Sequence, residues 1–191
     1  MGRLTACCLS VVAIGTSLWL TAPAMAADAK PPREGYKAPD FSLNDPNGKK
    51  VTLSKLLDKS SVVLVVLRGF PGYQCPLCTM QVGGLLSNAE KLADAKSHVV
   101  LVYPGPAENL DQWATEFLKG KDLPDNFSLV IDPDYVFTNA YGLRWDAPRE
   151  TAYPSTFVID RQGTVRLVKI SKQHGDRANV DEIVQALPGA K

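Results

Sequence analysis

Apolar positions change rhythm along this chain, and each change marks an element. Phe41 to Leu43 and Lys50 to Leu53 are short apolar pieces around Asn44-Asp45-Pro46-Asn47-Gly48, a string of turn formers, and they predict a β-hairpin. Ser61 to Leu67 (SVVLVVL) runs apolar without alternation, as a strand covered on both faces does, and stops at Arg68-Gly69-Phe70-Pro71-Gly72. From Cys75 onward Leu77, Val82, Leu85, Leu86, Ala89 and Leu92 follow helical spacing, and His98 to Tyr103 predicts a second buried strand. Leu110 to Leu118 predicts a helix, Ser128 to Ile131 a short strand, and Tyr135 to Tyr141 a short helix stopped by Gly142. Phe157 to Asp160 and Thr164 to Ile170 flank Asp160-Arg161-Gln162-Gly163, a hairpin turn by composition, and Asp181 to Leu187 closes the chain as a helix. This order predicts an α/β fold: a mixed sheet covered by helices, with the last hairpin supplying its antiparallel part.

The amino terminus follows a different rule. Arg3 gives a positive start, Leu9 to Leu20 is mostly apolar, and Ala24-Met25-Ala26 has the small-x-small pattern of a signal-peptidase site, so residues 1–26 are expected to be cleaved on export. Thr16, Ser17 and Pro23 interrupt the apolar run, which falls short of the roughly 20 residues of a membrane span. Leu4-Thr5-Ala6-Cys7 resembles a lipid-attachment box but precedes the apolar run, and Cys7 and Cys8 leave with the signal. Residues 27–37, with Pro31 and Pro32, read as a flexible linker, and residues 38–191 as one domain. With 21 basic and 20 acidic residues, the chain lacks the basic excess that a nucleic-acid partner calls for.

The mature chain keeps two cysteines, in Cys75-Pro76-Leu77-Cys78, placed where a buried strand ends and a helix begins. Pro76 suits the first helical position, where its missing N–H has no partner to lose. Cys75 is then the N-cap, where free N–H groups and the positive helix end lower a thiol pKa from its usual value of about 8.5. Cys78 lies one turn on, so one sulfur attacks while the other resolves. An inert disulfide staple is the competing reading for an exported protein. A four-residue loop contributes only about 2 kcal/mol by chain entropy, less than the ~3 of a 15-residue loop. A zinc site needs four ligands, and only His98 and His174 remain as soft partners.

Three stretches in order resemble the thioredoxin-fold superfamily, in particular its peroxiredoxin-like branch, the alkyl hydroperoxide reductase and thiol-specific antioxidant family. They are Ala38-Pro39-Asp40-Phe41-Ser42-Leu43 with Gly48 and Val51-Thr52-Leu53, the loop from Arg68-Gly69 through Cys75-Pro76-Leu77-Cys78, and Tyr153-Pro154-Ser155-Thr156-Phe157-Val158-Ile159-Asp160. The resemblance implies a thioredoxin-like fold with an N-terminal β-hairpin extension. It makes Pro154 a cis-proline facing the dithiol, with the Tyr153 backbone exposed to pair with an extended substrate. Two registers stay open. In the peroxiredoxin register Pro71 and Cys75 take the family's Pro and Thr places and Cys78 attacks peroxide; in the thioredoxin register Cys75 attacks and Cys78 resolves. Pro154 occupies the place of the peroxiredoxin arginine, which leaves Arg68 or Arg149 to supply its charge.

The expected activity is therefore that of an exported, periplasmic or secreted thiol oxidoreductase that reduces peroxides or protein disulfides through Cys75 and Cys78. Tyr153, Pro154, Pro71 and Arg68 are its candidate substrate-binding residues. The resemblance implies an external thiol reductant, thioredoxin-like or a membrane electron donor, with no cofactor, resident metal or nucleic acid, in a monomer or homodimer. The rival reading is a copper-delivery protein of the same fold, holding metal through Cys75, Cys78 and His174. Trp145 and Arg149 are candidates for walls of the site, His98 reads as structural, and His174 as a solvent-facing turn residue. Asn126-Phe127-Ser128 matches a glycosylation acceptor by pattern alone.

Overall fold

The structure, a computed structural model, describes Gly2 and residues 29–189. The expected signal segment, with Cys7 and Cys8, lies outside the described residues except for Gly2, as do the first two residues of the expected linker. Seven strands form one sheet: β1 (Ser42–Asn44), β2 (Lys50–Thr52), β3 (Ser61–Val66), β4 (Ser97–Gly105), β5 (Phe127–Pro133), β6 (Ser155–Ile159) and β7 (Val165–Ile170). Their spatial order is β2-β1-β5-β4-β3-β6-β7. β3, β4 and β5 pair in parallel, while β6 joins β3 antiparallel and β7 joins β6 antiparallel. The early hairpin is part of this sheet, because Asn44 in β1 pairs with Ile131 in β5.

The unbroken apolar run of β3 is buried at every position, and its side chains divide between two cores. Val63 and Val65 face α2 (Pro76–Leu86), α3 (Ala89–Asp94), α4 (Leu110–Phe117) and α6 (Val180–Ala186), where Val82, Leu85, Leu92, Phe117 and Ile183 complete the cluster. Val62, Leu64 and Val66 face α1 (Leu53–Leu57) and α5 (Val136–Ala140) through Leu53, Phe137 and Tyr141. Successive strand residues point to opposite faces, so a strand buried on both needs apolar residues throughout.

Local chemistry sets the helix ends. Asn179 caps α6 in a reciprocal box, its side chain accepting from the N–H of Glu182 while the Glu182 carboxylate accepts from the N–H of Asn179. The single helix predicted from Cys75 to Leu92 is two. Asn88 adopts a non-helical backbone and donates from its side chain to the Gly84 carbonyl at 2.9 Å, a local bond that competes with the helical ladder. The short helix α1 lies in a stretch whose pattern predicted only the end of a hairpin strand.

The expected flexible linker is corrected from Ala29 onward. Its backbone bonds to β7 and the turn before it, with Gly35 N–H to Val165 O, Val165 N–H to Tyr36 O and Ala38 N–H to Gly163 O, each at 2.9 Å. The Glu34 carboxylate accepts from Val168 N–H at 3.0 Å, and Pro32 is buried. β7 is the last strand of the sheet, and its unpaired edge offers main-chain partners that composition does not reveal.

The chain leaves β3 through Gly69, whose φ of +68° falls in the left-handed region and whose Cα faces the Pro104 carbonyl too closely for a side chain. Gly69→Ala is expected to lower stability by more than about 2 kcal/mol, from strain together with steric conflict. Gly84→Ala, in the exposed interior of α2 with open space around it, is expected to raise stability by about 0.5–1 kcal/mol. Urea unfolding of the two variants beside the parent chain checks both signs.

Candidate active site

Pro76 opens α2 and Cys75 is its N-cap, in extended backbone. The Cys75 sulfur accepts from the N–H of Cys78 at 3.4 Å, satisfying a donor that the helix start leaves free. Cys78 follows on the first turn, and its sulfur accepts from the backbone N–H of Arg68 at 3.3 Å. Both are free thiols and both are buried, Cys75 at 3% and Cys78 at 1% exposure. The dithiol thus bridges two chain segments: the loop leaving β3 and the start of α2.

The two sulfurs titrate as a pair. The Cys78 side chain, as a hydrogen-bond donor, brings the Cys75 thiol down to about 5 against the opposing effect of burial, helped by the Cys78 N–H and by the charges of Arg177 and Arg68. The same bond, with burial, pushes the Cys78 thiol well up. A single negative charge therefore rests on Cys75 near neutral pH, and Cys78 carries the proton.

A polar chain links the surrounding loops. The Arg68 guanidinium holds Glu150 in two bonds, Nε to Oε2 at 2.7 Å and Nη2 to Oε1 at 3.0 Å, while also donating to the Arg149 carbonyl and the Tyr73 hydroxyl. Burial of the guanidinium is outweighed by these partners, and its pKa is raised. Thr151 donates from its hydroxyl to the Arg68 carbonyl. His174 meets the Glu150 carboxylate at 3.0 Å and packs on Trp145, which stacks on Tyr153 with ring centroids 4.8 Å apart. From the segment after β7, Arg177 donates Nη2 to the Cys78 sulfur at 3.6 Å and Nη1 to Gln81 Oε1 at 2.6 Å. On the other flank Phe70 stacks on Trp113 at 4.4 Å, and Gln74 is pinned between the Trp113 carbonyl and the Tyr103 hydroxyl.

Several expectations change here. Among the described residues no peptide bond is cis, so the Tyr153–Pro154 bond is trans, the form an X–Pro amide favours by about 0.5–1 kcal/mol. The Tyr153 backbone is not free for a substrate strand, because its N–H donates to Leu143 O at 2.9 Å and its carbonyl accepts from Ser155 Oγ at 2.7 Å. Pro154 is buried, with its carbonyl taken by Ser171 N–H at 2.9 Å. Pro71 is half-buried in the loop between β3 and α2. Arg68 reaches Cys78 through its backbone N–H instead of its charge, and Arg149 is exposed. Arg177, which the sequence reading did not single out, donates to the Cys78 sulfur, and its charge and that of Arg68 both favour the Cys75 thiolate.

His174 is half-buried against Glu150 and Trp145, not turned to solvent alone. It is not brought together with the thiols. The described residues hold no group of three or more His, Cys, Asp or Glu side chains placed to take a metal ion. His98 meets Ser128 Oγ at 2.9 Å, away from the dithiol.

With its pKa near 5, Cys75 of the reduced chain should alkylate with iodoacetamide at a rate that rises through pH 5 and levels off by neutrality. An ordinary thiol would keep accelerating through about pH 8.5. Replacing Cys78 with Ala removes the largest cause of the depression and should move the Cys75 midpoint upward, which the pH profile of alkylation reads directly.

Comparison with known proteins places the fold and the family. Residues 35–168 match the model of the AhpC/TSA family. Chloroplastic peroxiredoxin Q of Sedum lineare is 28% identical over 83% of this chain and 79% of its own length. Alkyl hydroperoxide reductase E of Mycobacterium bovis is 30% identical over 74% of this chain and 87% of its own. Among solved structures, the peroxidoxin BcpB of Mycobacterium tuberculosis shares the fold at a TM-score of 0.65 and 23% identity, over 84% of this chain and 99% of that one. A Chlorobium tepidum protein described as a thiol:disulfide interchange protein aligns at a TM-score of 0.60 and 27% identity, over 82% of this chain and 99% of its own. The chain belongs to the AhpC/TSA family, as a thioredoxin-fold, peroxiredoxin-like, thiol-dependent oxidoreductase.

Proposed function

We propose that this protein is an exported enzyme that reduces peroxides or protein disulfides by cycling Cys75 and Cys78 between dithiol and disulfide. The observation that carries this reading is the division of labour at the start of α2: Cys75 holds the negative charge at the N-cap while Cys78, one turn away, keeps its proton. The thiolate is the reactive nucleophile, so this favours the thioredoxin register, with Cys75 attacking. On a peroxide, the Cys75 thiolate takes the distal oxygen and becomes a sulfenic acid, and the alcohol or water leaves with the cleaved electron pair and a proton. Cys78 then attacks the Cys75 sulfur, and water departs as the disulfide forms. An external dithiol, thioredoxin-like or membrane-held, returns two electrons and two protons. On a disulfide substrate the Cys75 thiolate forms a mixed disulfide and releases one substrate thiolate; Cys78 then attacks the Cys75 sulfur, and the second substrate thiol leaves as the Cys75–Cys78 disulfide forms.

The names of the curated relatives, peroxiredoxin Q and alkyl hydroperoxide reductase E, favour a peroxide. The aligned Chlorobium protein keeps disulfide exchange as the second reading. The signal-like pattern at the amino terminus supports action in the periplasm or outside the cell.

The test follows hydrogen peroxide and cumene hydroperoxide consumption with a regenerating dithiol. Peroxide turnover that falls to background in Cys75→Ser, with Cys78→Ser consuming about one equivalent and stopping at the Cys75 sulfenic acid when the dithiol is left out, is the expected result. Turnover that survives in Cys75→Ser but not in Cys78→Ser makes Cys78 the attacking residue. No peroxide consumption, with mixed disulfides trapped by Cys78→Ser, makes the enzyme a disulfide exchanger. Export is checked by the intact mass of the protein recovered from the periplasm, expected to begin at Ala27.

A further inference from the structure

Resting on the Cys75/Cys78 cycle proposed above, we infer that Arg177 is a catalytic residue of its second step, holding the Cys78 sulfur as the thiolate that closes the disulfide. Closing the disulfide requires Cys78 to lose its proton in the most buried part of the site, at 1% exposure. A charge placed there without a partner is costly, so something must face it. Besides its partner thiol Cys75, two donors among the described residues reach the sulfur: the Arg68 N–H and the Arg177 guanidinium.

These two differ in what they bring. The Arg68 guanidinium is committed to Glu150 as a nearly buried ion pair, and only its backbone reaches the sulfur. Arg177 makes no ion pair with a carboxylate among the described residues. Its guanidinium is aimed from three sides: Nε to the His174 carbonyl at 3.0 Å, Nη1 to Gln81 Oε1 at 2.6 Å and Nη2 to the sulfur. Gln81 is itself held by Thr156 of β6 at 3.4 Å. A cation held by three hydrogen bonds, with no carboxylate ion pair among the described residues, thus faces the resolving sulfur.

The arrangement also orders the two steps. In the reduced site the Cys75 charge and burial keep Cys78 protonated, against the pull of Arg177 and the Arg68 N–H. Once Cys75 is oxidised its charge is gone, and the pull of Arg177 and Arg68 remains. The other titratable neighbour, Tyr103 of β4, is kept neutral by burial and bonded to Gln74. Cys78 then loses its proton to solvent and attacks the Cys75 sulfur. The new S–S bond forms as the bond from Cys75 to its oxygen or sulfur substituent breaks, and the leaving group takes the electron pair.

Dithiobis-nitrobenzoate separates the steps in the full chain. Cys75 attacks the reagent and releases one thionitrobenzoate, and Cys78 then displaces the second from the Cys75 mixed disulfide. Arg177→Gln is expected to slow the second release about tenfold near pH 7 and to move its pH midpoint up by about one unit, with a smaller effect on the first. Arg177→Lys, which keeps a charge, should recover most of the rate, and Gln81→Leu, which loosens the guanidinium, should slow the second release less than Arg177→Gln does. A second-release midpoint that does not move in Arg177→Gln, or a lysine variant as slow as the glutamine one, overturns the inference. A first release that survives in Cys75→Ser at the parent rate overturns the cycle itself, a failure distinct from any effect of Arg177.

Discussion

Two sulfur atoms one helical turn apart, both shut away from solvent, hold a single negative charge between them, and the surrounding architecture is organised by where that charge rests. On Cys75 it meets the open N–H groups of the α2 start and the hydrogen of Cys78. On Cys78 it meets, besides its partner thiol, the Arg68 N–H and the Arg177 guanidinium, in a place where burial opposes ionisation. The pair is therefore asymmetric before any substrate arrives, and that asymmetry is the basis of the proposed division between an attacking and a resolving residue.

Holding this arrangement takes three loops from distant parts of the chain. The loop after β3 brings Arg68, the loop before β6 brings Glu150, and the segment after β7 brings His174 and Arg177. Glu150 ties the first to the third by binding Arg68 and His174 at once, and the ionised carboxylate is favoured by both partners against its partial burial. Glycine at position 69 and the Thr151 hydroxyl seat the Arg68 backbone against β4 and the Glu150 loop, so the N–H that reaches Cys78 has little freedom. The site sits at the carboxyl end of β3, beside the carboxyl ends of β4 and β5, where open α/β sheets commonly place their chemistry.

The family's chemistry fits this frame with one rearrangement. The strand position that the resemblance assigns to an arginine holds Pro154, and the cation beside the thiols is delivered by Arg177 from outside the sheet. That cation donates to Cys78 and not to Cys75, on which its charge acts more weakly than the hydrogen bond from the partner thiol. One geometry of this kind suits peroxide and disulfide substrates alike, since both present an electrophilic atom to the same thiolate and leave the same disulfide behind.

Much of the fold was legible because its causes are local. An unalternating apolar run of six residues announces a strand buried on both faces, and Cys75-Pro76 announces a helix start with a thiol at its cap, whatever lies elsewhere in the chain. The α2–α3 break turned on one Asn88 side chain reaching back four residues, a competition that periodicity does not register. The docking of residues 29–37 depended on the free edge of β7, and the engaged backbone of Tyr153 on Leu143 and Ser155, partners that exist only once the strands are in place. Arg177 lies 99 positions from Cys78, and Glu150 82 from Arg68, separations over which no spacing rule carries information. The sequence by itself determined which residues are the candidates for the reaction and the helix start that holds one of them at its cap. Only the tertiary structure decided which arginine faces the sulfur and which faces a carboxylate, because a side chain's electrostatic partner is set by chain packing and not by its neighbours in the sequence.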